Sequence, residues 1–480
     1  MSAPVPFWLA GRATRGTGSF DVVNPYDGSH VATVAVPTQD DVETALAAAA
    51  AVAADAAGLP AHVRADALAH VSRRIEERAD EIARLITAEN GKPLKWSRGE
   101  VRRAAATFRW AAEEARRWSG DLQRLDTDPG GAGRVAVVRR FPRGPVLAIA
   151  PFNFPLNLVA HKVAPALAVG APVLIKPAPA TPLSALLLGE LLAETDLFHG
   201  MWSVLPVPND RMAALVADPR LPVVSFTGSG PVGWSIRDAV PRKHVTLELG
   251  GNAAVVVCAD FSGPGDLDHA ARQIATFAGY QGGQSCVSVQ RVLVHSSLYA
   301  DLLERIVAEV EALRTGDPED PATDVGPLID EAAAVRVVSW VDEAVEAGAK
   351  VHTGGTRVGS TVAPTVLVDV PKQARAWREE VFGPVLAVAP FDDLDEAFRE
   401  VNDSRYGLQA GVFTRDLPTA FRAHRELEVG GVVIGDVPSY RADQMPYGGV
   451  KESGVGREGL RSAMEDYTYE RVLVLTGLDL

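Results

Sequence analysis

Cysteine is nearly absent. Only two occur in 480 residues, so no disulfide framework is available, and no His/Cys spacing resembles a zinc site. Basic excess is also missing: 47 Lys and Arg against 61 Asp and Glu leave a net charge of −14, which argues against nucleic acid as a partner. No run of 18 apolar residues occurs, so no membrane-spanning helix is expected. The first residues, Met1 to Gly18, lack a basic start followed by an apolar stretch, which makes the cytoplasm the default location. There is no internal repeat and no low-complexity linker. What remains is an ordinary globular composition, 47% apolar and 22% charged, in a chain long enough for two or three domains.

Residues 20–36 read as a hairpin turning at Tyr26–Ser29. Thr38 is placed to cap an alanine-rich helix through about Ala57, with Asp40 and Asp41 in its positive first turn. Helical patterns follow over 61–89 and 94–118, separated by Gly91-Lys-Pro93. Residues 119–133 read as polar turns, and Arg134–Phe141 alternates like an edge strand. From Pro145 short buried strands alternate with helices at 157–169, 183–195, 210–217 and 231–239. That pattern predicts a parallel, doubly wound sheet. A second α/β series runs from near Asn252 to about Gly435. The terminal segment 469–476 reads as an apolar strand in need of a neighbour, which a partner subunit can supply.

The two cysteines read differently. Cys258 lies in an apolar run and reads as a small buried hydrophobe. Cys286 follows the polar, glycine-rich 279–285 and precedes a strand-like stretch, Val287–His295. A thiol on such a turn reads as a nucleophile. Gly228-Ser-Gly-Pro-Val-Gly233 contains G-x-G-x-x-G after a strand and before a helix, and Glu248 lies 20 residues past Gly228. Glu248 then has two readings, a ribose-binding acid or the base that Cys286 needs.

Seven motifs, in order, resemble those of the NAD(P)-dependent aldehyde dehydrogenases over essentially the full length. They are Pro151–Pro155, Ile175–Pro182, Phe226–Ser229 with Gly233, Glu248–Gly251, Gly283–Cys286, Glu379–Pro384 and Pro446–Gly454. The implied fold is α/β: a Rossmann-type cofactor domain (1–118 and 142–247), an α/β catalytic domain (248–450) and a small β bridging element (119–141 and 466–480) that assembles a homodimer or homotetramer. Phe261–Gly265 looks like a small surface insertion.

The resemblance also implies roles. Cys286 attacks a small-molecule aldehyde to give a thiohemiacetal and then a thioester. The side-chain amide of Asn153 and the Cys286 N–H stabilise the oxyanion, an effect typically worth about 10²–10³ in rate. Glu248 is the general base for the hydrolytic water, and burial among apolar residues should raise its pKa. Lys176 holds the adenosine ribose, Gly228, Ser229 and Gly233 the pyrophosphate, and Glu380 the nicotinamide ribose. Phe382, Phe152 and Leu249 complete the cofactor contacts. Related NAD-preferring enzymes often carry a glutamate three residues after this lysine, where Pro179 stands here. NAD is therefore expected, with NADP left open.

Within the family, the chain resembles the branch of lactaldehyde, phosphonoacetaldehyde and non-phosphorylating glyceraldehyde-phosphate dehydrogenases. His161, Arg441 and Arg103 fall where a substrate tunnel is expected, and they suit a short polar or anionic aldehyde. The competing reading pairs Arg103 and Arg441 with acids such as Asp443. Ser285, where phosphate-using relatives often have arginine, favours a carboxylate semialdehyde or a hydroxyaldehyde. The alternatives are a CoA-acylating semialdehyde dehydrogenase, a cofactor-independent thiol esterase, and a non-catalytic scaffold of the same fold.

Overall fold

A computed structural model describes residues 3–477. Its first sheet has eight strands. Five are parallel and central, in the order Trp202–Val204, Val173–Lys176, Val146–Ile149, Val223–Thr227 and His244–Glu248. Phe7–Leu9 and Arg12–Thr14 close one edge antiparallel, and Gly454–Val455 closes the other. Three of the central strands (VLAI, VLIK and WSV) are buried throughout. That is what a parallel sheet covered on both faces requires. The interior helix Asn157–Val169 is buried along its whole length.

Thr38 caps the helix Gln39–Gly58 as expected. Its side chain accepts from Asp41 N, and the Asp41 carboxylate accepts from Thr38 N at 2.8 Å, completing a capping box. The single helix expected over 61–89 is two, Ala61–Glu77 and Ala79–Asn90, broken at Arg78 (φ −104°, ψ 20°). No glycine or proline marks the break. From the corner Arg78 reaches Glu81, three residues on, and also Glu190, a contact between distant segments that no local pattern encodes.

The second sheet has seven strands, in the order Lys350–Thr353, Thr365–Val368, Val385–Phe391, Arg291–His295, Ala254–Val257, Gln409–Phe413 and Gly431–Ile434. All are parallel except the first. The strand expected from Val287 starts only at Arg291. Before it, Gln290 turns its side chain to the backbone of the 376–381 segment, giving to Glu379 O and accepting from Val381 N. Phe261 is not a surface residue: it is 1% exposed and packs 5.1 Å from the Phe413 ring.

A three-stranded antiparallel sheet stands apart, formed by Thr468–Thr476, Arg134–Pro142 and Asp121–Arg124. The last strand lies inside the segment expected to be turns. Val472, Leu473 and Val474 are about half exposed, and Leu122 is 69% exposed. Among the described residues, no single helix is long and apolar enough to cross a membrane, and no cluster of three metal-ligating side chains occurs.

Candidate active site

The carboxyl ends of the first sheet's strands open onto a cleft of about 660 Å³. Lys176, Ser229, Glu248, Cys286, Glu380 and Phe382 all line it. The two sheets therefore contribute to one site.

Cys286 is set by an unusual turn. Gln281, Gly282 and Gly283 all have positive φ, at 56°, 63° and 72°. Glycine is required at 283, where a Cβ would lie 2.1 Å from Gly383 O. The Asn153 side chain donates to Gln284 O at 2.8 Å, two residues before the thiol, and this leaves its second amide hydrogen free. Cys286 keeps some surface open to the cleft, yet burial around the sulfur pushes the thiol up to about 12. Tyr447 OH lies 3.1 Å from Sγ and opposes that shift.

Glu248 ends the strand His244–Glu248. Its carboxylate is buried, and neither oxygen has a hydrogen-bond partner. Gly448 (φ 156°) makes room beside it, since a Cβ there would lie 2.9 Å from Glu248 Oε1. Burial first, and then the charge of Glu458, raise the Glu248 carboxyl well above its usual range. An isolated buried carboxylate is costly unless protonated or paired, so this group is poised to take a proton.

The paired glycines after Glu248 follow from close approach. A Cβ on Gly250 would lie 2.3 Å from the Glu380 carboxylate, and one on Gly251 would lie 2.6 Å from Cys286 O. Gly251 N donates to Glu380 at 3.0 Å, and burial raises the Glu380 carboxyl to about 7. Phe382 meets Phe152 edge-on at 5.9 Å. At the far end, Lys176 donates to Asn209 Oδ1 at 2.5 Å, and burial lowers its ammonium to about 8. Ser229 precedes the helix Gly230–Ala239 with its hydroxyl uncommitted to a cap, and Pro231 sits in the first turn, where no amide is needed. Gly233 is tied to Leu249, whose side chain a Cβ would meet at 2.4 Å.

His161, Arg441 and Arg103 do come together, but around acids and outside the lining of the cleft. Arg103 and His161 both bond Asp443, at 2.9 and 3.0 Å. Burial and Arg441 lower His161 to about 4, so it is neutral. Arg441 bonds Glu458 at 3.1 Å through one nitrogen, lies 3.9 Å over the Tyr447 ring, and keeps a buried Nε with no partner. Arg103 thus pairs with Asp443 as the competing reading has it, while Arg441 keeps one donor without a partner.

Sequence reasoning missed Tyr447, Lys162, Glu458 and Asn209. Lys162 Nζ bonds Glu458 at 3.0 Å and Thr227 at 2.7 Å. Burial would raise Glu458, but Lys162 and Arg441 outweigh it and hold the acid at about 2. A lysine inside an otherwise apolar helix was a usable signal, and Tyr447 lay inside a motif already singled out. Nothing local marked Glu458 or Asn209.

A thiol and an acid without a hydrogen-bond partner line one cleft of about 660 Å³, an arrangement suited to thiol-dependent catalysis. The chain belongs to the aldehyde dehydrogenase family, whose profile it matches over residues 12–473, and it is an NAD(P)-dependent enzyme of that family. It is 42% identical over 456 residues to 3-sulfolactaldehyde dehydrogenase of Priestia megaterium, covering 95% of this chain and 94% of that protein. Among solved structures it resembles aldehyde dehydrogenase 21 of Physcomitrella patens in complex with the reaction product succinate. That match has a TM-score of 0.96 and 43% identity, over 99% of each chain. It also resembles the NADP-dependent glyceraldehyde-3-phosphate dehydrogenase of Bacillus halodurans complexed with NADP. Here the TM-score is 0.94 and the identity 35%, over 99% of this chain and 100% of the other.

Proposed function

We propose that this enzyme oxidises a short aldehyde bearing an acid group, a carboxylate or a sulfonate, to the corresponding carboxylic acid. The observation that carries this reading is Glu248: a buried carboxylate without a partner, lining the same cleft as the Cys286 thiol.

The cleft residues fit a dinucleotide. Phe226, Val232 and Ile236 offer an apolar wall, the helix start at Ser229 suits a pyrophosphate, and Lys176 and Glu380 stand among the lining residues as ribose-binding groups. The carboxyl ends of the 142–247 strands thus serve the cofactor, 248–450 supplies the thiol, and 119–141 with the terminal strand bridges subunits. Pro179 puts no negative charge beside Lys176, so NAD is accommodated and a 2′-phosphate is not repelled.

Cys286 Sγ attacks the carbonyl carbon, and its proton passes to Glu248. The oxyanion forms against the free hydrogen of the Asn153 amide and the Cys286 N–H. A dinucleotide bound in the cleft supplies the hydride acceptor. As the carbon–oxygen double bond reforms, the acyl group stays on sulfur as a thioester. Glu248 releases the first proton to solvent and then takes a proton from water, whose oxygen attacks the thioester. The carbon–sulfur bond breaks, the Cys286 thiolate takes back the proton held by Glu248, and the acid leaves.

Charge supports an anionic substrate. While Glu248 is protonated, Lys162, Arg441 and Arg103 face two ionised acids, Glu458 and Asp443, with His161 neutral, so one positive charge is left over; an ionised Glu248 closes the balance. The spare Arg441 Nε is the donor for the substrate's acid group. Relatives named for sulfolactaldehyde, and one solved with succinate bound, fit this choice.

The test is reduced-nicotinamide absorbance with NAD and NADP in parallel. The aldehydes are propanal, lactaldehyde, succinic semialdehyde, sulfoacetaldehyde and glyceraldehyde 3-phosphate. The acid-bearing aldehydes should give the highest kcat/KM. Preference for propanal or lactaldehyde would overturn the substrate class, and no reduction with any member would overturn the reaction itself.

A further inference from the structure

We propose that Asn90 is a positioning residue that locks the loop carrying Asn153 to the loop carrying Cys286, and so sets the oxyanion site. The inference rests on the catalytic reading above, in which Asn153 holds the oxyanion.

Asn90 ends the helix Ala79–Asn90 and is fully buried, outside the lining of the cleft. Its Nδ2 donates to Phe152 O at 2.7 Å, while its Oδ1 accepts from Gln281 Nε2. One side-chain amide thus ties a residue beside Asn153 to a residue five positions before Cys286. Gln281 is the non-glycine residue held at φ 56° in the nucleophile turn. Such a conformation persists only where the surroundings impose it. Among the described residues, the bond to Asn90 is the only hydrogen bond its side chain makes.

The turn that presents Asn90 is itself fixed. Gly91 has φ 73°, and a Cβ there would lie 2.5 Å from Pro327 and 2.8 Å from Pro25. Two residues past Asn90, buried Lys92 donates to Asn153 O at 2.8 Å. Lys92 is paired with buried Glu100, whose other oxygen accepts from Leu156 N and Asn157 N at 2.9 and 3.1 Å. Residues 90 and 92 therefore hold two successive carbonyls, those of Phe152 and Asn153. Across the gap, Asn153 Nδ2 itself reaches Gln284 O at 2.8 Å. Lys92 fixes one loop, and Asn90 fixes both relative to each other.

A helix end that merely packs would affect stability and every reaction of the site alike. A positioning residue acts through Asn153, and a double-mutant cycle separates the two. The variants are Asn90→Ala, Asn153→Ala and the pair, assayed for hydrolysis of 4-nitrophenyl acetate and for aldehyde oxidation. Ester hydrolysis needs the nucleophile and the oxyanion site but no hydride acceptor, so it reports even if the aldehyde is misassigned. Asn90→Ala should slow both reactions on the order of ten- to a hundredfold, the scale of a small misplacement. In the Asn153→Ala background it should cost less than about twofold, because the interaction it orients is already gone. Alkylation of Cys286 by iodoacetamide, which forms no oxyanion, should keep its rate.

An equal Asn90→Ala loss in both backgrounds, or a parallel fall in alkylation, would overturn the proposal. If Asn153→Ala slows ester hydrolysis while Asn90→Ala does not, Asn90 alone is misassigned. If Asn153→Ala changes nothing, the catalytic reading fails and takes this proposal with it. Should Asn90→Ala not fold, Gln281→Met removes the donor of the same bond from the other loop and enters the same cycle.

Discussion

The Tyr447 hydroxyl stands 3.1 Å from Cys286 Sγ, with the Arg441 guanidinium 3.9 Å over the same ring. Burial and neighbouring charge raise the Tyr447 phenol well above its usual range, so it is the proton donor in this pair. A donor at that distance favours thiolate over thiol. Tyr447→Phe should therefore raise the thiol pKa further. Iodoacetamide inactivation at a fixed pH should slow about tenfold, the effect of one hydrogen bond to a charged group. An unchanged pH profile of inactivation would remove Tyr447 from the chemistry.

Glu248→Gln keeps the shape of the base and removes its proton affinity. Steady-state turnover should fall by about 10²–10⁴. Glu248 serves both proton transfers, so rapid mixing should show the first formation of reduced nicotinamide slowed along with turnover. A full, undiminished burst would confine Glu248 to the hydrolytic water.

Dinucleotide affinity should be greatest between about pH 7 and pH 8. Burial raises Glu380 to about 7, so its accepting carboxylate grows in as pH rises through that value. Burial lowers Lys176 to about 8, so its ammonium is lost as pH rises further. Titration calorimetry across this range should give a bell. Glu380→Gln should flatten the acid limb, and Lys176→Met the basic limb, most clearly for NADP.

Arg441→Lys keeps a cation beside Glu458 and removes the spare Nε. KM for succinic semialdehyde should rise about tenfold or more, with propanal nearly unaffected, because the donor assigned to the acid group is lost. Equal losses on both substrates would end the anion assignment.

The strand Thr468–Thr476 leaves four consecutive apolar residues, Val472 to Leu475, exposed at its outer reach. We expect a second subunit to cover them. Val472→Glu with Leu473→Glu should shift the mass measured by light scattering to a monomer, with little change in secondary structure.

Much of this was legible beforehand because period and punctuation are local. Thr38, the buried strand runs and Gly91 all declared themselves, and motif spacing brought Cys286, Glu248 and Glu380 into one site. The misses share a cause: each depends on a partner far along the chain. Arg78, at the corner, reaches Glu190, Val287–Gln290 is diverted to the 376–381 segment, and Asp443 takes up His161. The pairing of Arg103 with Asp443 was legible as the competing reading of the arginines.

The high pKa of Cys286 also bears on chemical durability. Peroxide attacks thiolate, not thiol, and the resting sulfur is almost wholly protonated near neutrality. The enzyme should therefore survive oxidant exposure that converts low-pKa cysteines to sulfenic acid. Its vulnerable moment comes only when a base beside the sulfur takes the proton, which is also when an aldehyde is there to be attacked.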